Sequence, residues 1–291
     1  MSRSPRVALA TAGALPQLDA EDGPPLLAAL RHRGLFAEPA VWDDPGVDWT
    51  AYDLVVIRST WDYAARRDAF VAWAESVAAG SRLANPAAVV RWNTDKRYLR
   101  ELAAAGLPVV PTTWLEPRDP VVLPTSGEYV VKPAVSAGAK DTARYAGSDP
   151  VATEHVARLH AAGRTVMVQP YLGAVDTAGE TSLIFIGGAF SHAIRKGPLL
   201  QLGRPLPAGL YAEENIRART PGRAERKLAA AVLDAVPGGR VQLLYARVDV
   251  VPGADGVPLL LELEVTEPSL FLDRAPSAAD RLAAAIEVAA S

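Results

Sequence analysis

The sequence predicts an α/β protein, with a parallel sheet in its N-terminal part and an α+β remainder. Near the N-terminus, short aliphatic and β-branched runs alternate with helix-length amphipathic segments, the pattern of a helix-covered parallel sheet. Further on, apolar runs come in pairs around Gly- and Asp-rich turns, the pattern of antiparallel hairpins. A chain of 291 residues, 49% hydrophobic and 22% charged, suits a soluble globular protein of two or three domains.

Residues 6–11 read as a buried strand and 24–33 as a helix, with Pro25 in its first turn and Gly34 as its stop. Strands around 40–42 and over 52–57 complete a strand, helix, strand unit. In such sheets ligands gather at the carboxyl ends of strands. There the third strand runs into Arg58, Ser59, Thr60, Trp61, Asp62 and Tyr63. Arg58, Ser59, Thr60 and Asp62 are candidates for gripping a small anionic substrate; the alternative is a helix cap with Trp61 and Tyr63 packed on it. A helix over 68–79 and a turn at Asn85-Pro86 follow. Residues 89–106 read as a helical unit capped by Asn93, Thr94 or Asp95 and ended by Gly106. Lys96 in its first turn opposes the helix dipole, which makes sense if it faces a phosphate; otherwise it is a solvated lysine.

The strand from Glu128 delivers Lys132, and the small residues after it, with Ser136 and Gly138, can bring backbone amides close to phosphate oxygens. A plain hairpin turn is the alternative. A helix over 149–162 leads to a strand over 165–172, containing Gln169, Tyr171 and Leu172, and to a polar hinge with Asp176 and Glu180. Such a hinge offers backbone groups to a purine edge and a carboxylate to ribose hydroxyls. Residues 180–186 and 189–196 form a hairpin about Gly187-Gly188, ending at Arg195 and Lys196. Residues 197–221, rich in Gly and Pro, read as one long mobile loop serving as a lid, and helices are expected over 225–236 and 280–290.

The runs 245–251 and 259–265 flank a turn at 252–256 and read as an antiparallel hairpin. Side chains alternate along strands, so Asp249, Glu262 and Glu264 can share one face. Carboxylates among leucines and valines repel one another, and a hard cation such as Mg²⁺ would relieve them. The alternative is an exposed strand edge, polar on one side.

Lys and Arg number 30 against 33 Asp and Glu, a net charge of −3, so no basic field calls for nucleic acid. There is no cysteine, which excludes disulfides, thiolate metal sites and cysteine nucleophiles and agrees with a cytoplasmic location. No apolar run is long enough for a membrane span or a clear signal peptide.

Taken in order, Lys96, Lys132 in Val-Val-Lys-Pro, the Gln169-Pro-Tyr-Leu hinge, Glu180, Arg195-Lys196, Arg247-x-Asp249 and Glu262-x-Glu264 resemble the ATP-grasp superfamily over residues 90–270. Glu264 stands where many members have Asn, so it is either a metal ligand or a substrate contact. Residues 57–63, the Arg247-x-Asp249 strand and residues 261–271 resemble more narrowly the subgroup that cyclises O-ureido-D-serine. The resemblance implies an N-terminal pre-grasp domain (1–88), a central subdomain forming the nucleotide lid (89–170) and a C-terminal subdomain with the metal site (171–291). It implies ATP with Mg²⁺, or Mn²⁺ in its place, held through Asp249, Glu262 and Glu264. Lys96, Lys132, Ser136, Gly138, Gln169, Tyr171, Leu172, Asp176, Glu180, Arg195 and Lys196 would face the nucleotide. Lys132, Arg195 and Arg247 would act in catalysis, and Arg58, Arg247, Glu267 and Ser269 would grip a small amino-acid-like substrate. The implied reaction makes an acylphosphate that the ureido nitrogen attacks, giving D-cycloserine, ADP, phosphate, CO₂ and ammonia. An intermolecular ligase and a nucleotide-binding module without turnover are the other readings. A homodimer is expected from the family alone.

Overall fold

Residues 7–10 and 54–57 are buried on both faces, as parallel strands covered by helices must be. In the computed structural model, which describes residues 4–203 and 215–291, they belong to a parallel sheet. Its strands are β1 (Arg6–Thr11), β2 (Phe36–Val41), β3 (Leu54–Ile57) and β4 (Arg82–Ala84), in the order β2-β1-β3-β4. Helix α1 (Gly23–His32) joins β1 to β2, and α2 (Arg67–Gly80) joins β3 to β4. Strand β4 was not expected; three residues are too short to show a period.

The helical unit expected over 89–106 is broken into α3 (Ala87–Asn93) and α4 (Tyr98–Ala104). Asp95 Oδ1 accepts the Arg97 amide (3.0 Å), and the Lys96 amide donates to the Ala134 carbonyl (2.9 Å). Lys96 therefore stands in the break, ahead of α4.

The second sheet is antiparallel, in the order β5-β8-β6-β7, from β5 (Thr113–Leu115), β6 (Glu128–Pro133), β7 (Ala143–Ala146) and β8 (Val166–Pro170). Helix α5 (Pro150–Ala161) covers one face, setting Val156 and Leu159 among Tyr129, Val131 and Val168.

After the short α6 (Val175–Ala178), the third sheet contains β9 (Glu180–Ile186), β10 (Ala189–Lys196), β11 (Ile216–Arg219), β12 (Tyr245–Pro252) and β13 (Pro258–Glu264), in the order β11-β10-β9-β12-β13. Alternation sends Leu183 and Phe185 to the side of α7 (Arg223–Asp234), and Ile184 and Ile186 to the side of α8 (Ala278–Ala290). Leu282 and Ile286 of α8 also pack with Leu26 and Leu30 of α1, fastening the third sheet to the first. The region expected to be one loop over 197–221 holds β11, paired with β10. The rest of that expected lid, residues 204–214, lies outside the described residues.

Candidate active site

Strands β12 and β13 pair so that Asp249 faces Glu262 and Arg247 faces Glu264 across the ladder. All four side chains therefore share one face, and a register shift after Asp249 leaves Leu261 unpaired before the ladder resumes at Val250 and Leu260. Strand β13 is the sheet's edge, but its outer backbone is occupied. Tyr98 Oη donates to the Leu263 carbonyl and accepts its amide, both at 2.8 Å. Asn93 Oδ1 accepts the Val265 amide (2.9 Å), and Val110 and Pro108 bond the backbone of Leu260 (2.9 and 2.7 Å). The edge is thus sealed, and Glu262 and Glu264 are held toward a cleft of about 710 Å³.

The cleft takes residues from all three sheets and their loops. Lys96 Nζ bonds Glu262 Oε1 (3.1 Å) and the Ser136 carbonyl (2.8 Å), joining β13 to the small-residue loop after β6. Lys132 is buried beside it. In that loop Gly138, Ala139 and Asp141 have positive φ (61°, 57° and 58°). Arg164 ties the two ends of the loop together, through the Val135 carbonyl (2.8 Å) and Asp141 Oδ2 (2.6 Å). On the other side Lys196 Nζ meets Asp249 Oδ2 (3.2 Å), and Arg247 Nε meets Asp249 Oδ1 (3.0 Å) while its Nη2 bonds Glu264.

These neighbours set the charges. Burial raises the Asp249 carboxyl, but Arg247 and Lys196 outweigh it and hold the group well below the usual carboxylate range. Burial likewise opposes ionisation of Glu262, and Lys96 and Lys132 overcome it. Burial wins at Glu264, pushed up to about 7, and at Glu267, pushed up to about 8, where Tyr63 supplies a hydrogen bond. Burial also lowers Lys132.

Among the described residues no group of three His, Cys, Asp or Glu could by itself hold a metal ion. The expected cage of Asp249, Glu262 and Glu264 is therefore not formed by protein alone, because Arg247 draws Glu264 aside. The donors that remain fit Mg²⁺ as it is bound with a nucleotide, by one or two carboxylates plus phosphate oxygens.

Of the residues expected to face a nucleotide, the cleft is lined by Lys96, Lys132, Ser136, Gly138, Gln169, Tyr171, Leu172, Glu180 and Lys196. Asp176 is not among them: it faces outward, accepting from Tyr171 Oη (2.5 Å) and Arg144 (3.4 Å). Arg195 is also displaced, since its guanidinium bonds the Thr177 and Ala178 carbonyls at the end of α6 (both 2.5 Å). Free carbonyls at a helix end attract a cation, and a four-residue helix was invisible in the sequence.

Of the expected substrate contacts, Arg247, Glu267 and Ser269 line the cleft. Arg58, Ser59, Thr60 and Asp62 do not. Arg58 is turned inward to Asp22 (3.2 Å), Ser59 Oγ donates to Asp19 (2.7 Å), Thr60 is buried, and Asp62 accepts from Trp42 Nε1 (2.9 Å) and Arg66 (2.7 Å). The aromatic pair beside them takes the place instead. Trp61 and Tyr63 line the cleft, Trp61 Nε1 donating to the Glu267 carbonyl (3.0 Å). Trp61 lies in a turn and Tyr63 in a short 3₁₀ helix, so no strand alternation marked them; two aromatics after the end of β3 were the signal. Asp19, Glu21, Phe271 and Arg274, also in the cleft wall, gave no signal in sequence.

An antiparallel second sheet and a third sheet that together enclose a lysine- and carboxylate-lined cleft make up the ATP-grasp fold. The ATP-grasp ligase PsnB with its minimal precursor superposes with a TM-score of 0.61 at 20% identity, covering 99% of this chain and 100% of that one, a likeness of fold. A family model described as the N-terminal domain of D-cycloserine synthetase DcsG matches residues 7–85. The cycloserine biosynthesis protein DcsG of Streptomyces lavendulae is 42% identical over 282 residues, 91% of this chain and 92% of that protein. A crystal structure of D-cycloserine synthetase DcsG matches with a TM-score of 0.86 at 39% identity, over 98% of this chain and all of that one. The chain belongs to the DcsG family of ATP-dependent ligases.

Proposed function

We propose that this protein uses ATP to activate the carboxylate of O-ureido-D-serine and closes it to D-cycloserine. The observation that carries the reading is the arrangement around Asp249 and Glu262: two ionised carboxylates, opposed across a ladder and flanked by Lys96, Lys132, Lys196 and Arg247. Such a set binds a polyphosphate with its metal and neutralises charge as the phosphoryl group moves. Mg²⁺ bound by Asp249 and Glu262, with phosphate oxygens completing its shell, would supply that neutralisation. In this reading Lys96 and Lys132 hold the phosphates, and the small-residue loop with Ser136 and Gly138 brings amides to them. Gln169, Tyr171, Leu172 and Glu180 hold the nucleoside, and Arg247, Glu267 and Ser269 hold the amino acid. The three sheets act as the units expected over 1–88, 89–170 and 171–291.

The substrate carboxylate takes the γ-phosphoryl group and ADP leaves. The ureido nitrogen then attacks the acyl carbon, phosphate departs with one former carboxylate oxygen, and water removes the carbamoyl group as CO₂ and ammonia. Attack within one molecule needs orientation more than a strong base. ADP release with ATP and Mg²⁺ tests this, comparing O-ureido-D-serine, its L-enantiomer, and other amino acids singly and in pairs. Turnover on O-ureido-D-serine alone is expected. Turnover only on a pair would make the protein an intermolecular ligase, and no ADP with any substrate would refute the ligase reading.

A further inference from the structure

Glu267, Ser269 and Phe271 line the cleft from a segment that follows β13 without regular structure. Two side chains outside the cleft wall hold its backbone. Asp22 and Arg58 are 1% and 2% exposed. Asp22 Oδ2 accepts the Leu270 amide (2.6 Å), and its Oδ1 accepts the Leu272 amide (2.8 Å). Arg58 Nη2 donates to the Pro268 carbonyl (3.0 Å) and to Asp22 Oδ2 (3.2 Å). Between the two amides stands Phe271, with φ 51°, a left-handed conformation that is strained for a residue with a side chain. Amides on either side of a left-handed residue can converge on an anion, and here the Asp22 carboxylate occupies that position.

The clamp is seated in the N-terminal sheet. Asp19 Oδ1 accepts the Asp22 amide (2.7 Å), and Ser59 Oγ donates to Asp19 Oδ2 (2.7 Å). Arg58 lies 5.2 Å from the ring centre of Tyr245, whose hydroxyl donates to the Ile57 carbonyl (2.7 Å). The loop is also tied by His192 Nε2 to the Leu270 carbonyl (2.9 Å) and by Arg247 Nη1 to the Ser269 carbonyl (3.3 Å). Neither of these takes the amides of Leu270 or Leu272.

We propose that Arg58 and Asp22 are positioning residues for the small-molecule substrate: they touch none of it, and they fix the 268–272 loop so that Ser269 and Phe271 form the cleft wall. The loop belongs to the amino-acid side because it follows Glu267, whose carbonyl Trp61 of the N-terminal part bonds, whereas Gln169 lies in β8 of the second sheet and Tyr171 just after it. Only that assignment of ligand rests on the ligase reading; the clamp itself does not.

The test uses two forms of the full chain. In one, Arg58→Met and Asp22→Leu together remove both charges, so no lone buried ion remains. In the other, Asp22→Asn keeps the shape and spoils the acceptor. Hydrogen exchange at Leu270 and Leu272 is measured without substrate, and KM is measured for ATP and for the amino acid separately. Exchange at those amides is expected to rise about tenfold or more, with other amides of the N-terminal sheet unchanged. KM for the amino acid is expected to rise about tenfold, with KM for ATP within about twofold. Unchanged exchange in Asp22→Asn would overturn the clamp. A faster-exchanging loop with an unchanged amino-acid KM, or with both KM values raised equally, would overturn its role in positioning substrate. If the double variant does not fold, Asp22→Asn decides on the same readouts. If the wild type shows no turnover, the ligase reading fails while exchange still decides the clamp.

Discussion

Lys132 carries a charge that burial disfavours, and it is kept in a cleft beside Glu262 and Lys96. A protein has little reason to bury two lysines together unless an anion visits them. Lys132→Met is therefore expected to lower the rate of ADP release by about 10²-fold or more, measured by a coupled assay at saturating ATP. Glu262→Gln and Asp249→Asn should lose turnover to a similar or greater extent, and full activity in both would refute their assignment to the metal and phosphates. Arg195→Met gives the contrast. Because Arg195 bonds the carbonyls of α6, its loss should leave the chemical step within about tenfold of wild type and act mainly through KM for ATP. At this scale the sequence was informative wherever a charge interrupts an apolar strand, as at Lys132, Asp249 and Glu262. It misled at Arg58, since an arginine after Val-Val-Ile can point into a cleft or into the protein. What decides is Asp22 together with a loop near Leu270, and those two lie 248 positions apart.

The edge strand β13 presents Glu262 and Glu264, and Tyr98 closes its outer side by bonding both backbone groups of Leu263. Tyr98→Phe leaves the Leu263 amide buried without its acceptor, while the carbonyl keeps Asn93 Nδ2 (2.8 Å), which should cost about 1–3 kcal/mol, read as a lowered midpoint in urea denaturation. Gly179 is a second control point. Its φ is 69°, and a Cβ there would sit 2.3 Å from the Lys196 carbonyl oxygen. Gly179→Ala should therefore shift α6 and β10 against each other, and weakened nucleotide binding by calorimetry would record it. The hairpins β9–β10 and β12–β13 were legible because alternation and turn residues agree. Strands β4 and β5 and helix α6 were not, being too short to show a period. The break between α3 and α4 was hidden for a different reason: it depends on the bond from the Lys96 amide to Ala134, a contact with another sheet.

Across the molecule, α8 packs against α1 and the third sheet at once, so the N-terminal sheet and the last helix share a core. Sequence periodicity marks α8 as amphipathic without saying what it meets, so this closure was not legible. Two buried histidines in different parts of the fold link stability to pH. Burial lowers the pKa of His155, on α5, and of His192, on β10, so the folded protein holds both neutral. Their contribution is fully present above the unfolded value of about 6.5 and is lost as pH falls from there through the lower folded values. The histidines should thus lower stability in urea between about pH 7.5 and pH 5.5, against the opposite slope of Glu264 and Glu267, whose raised carboxyls bind protons on folding there, and the histidines' share of the pH profile should vanish in His155→Phe and His192→Asn. An unchanged pH profile in both variants would place the acid sensitivity elsewhere.

Cyclisation through an acylphosphate requires that a substrate carboxylate accepts phosphate before the ring closes. O-ureido-D-serine labelled with heavy oxygen in its carboxylate, incubated with ATP and Mg²⁺, tests it directly. Inorganic phosphate released with one carboxylate oxygen, matched to D-cycloserine formed, is the predicted result. Phosphate without label, alongside ADP and unchanged amino acid, would show water attacking ATP and would rule out the acylphosphate.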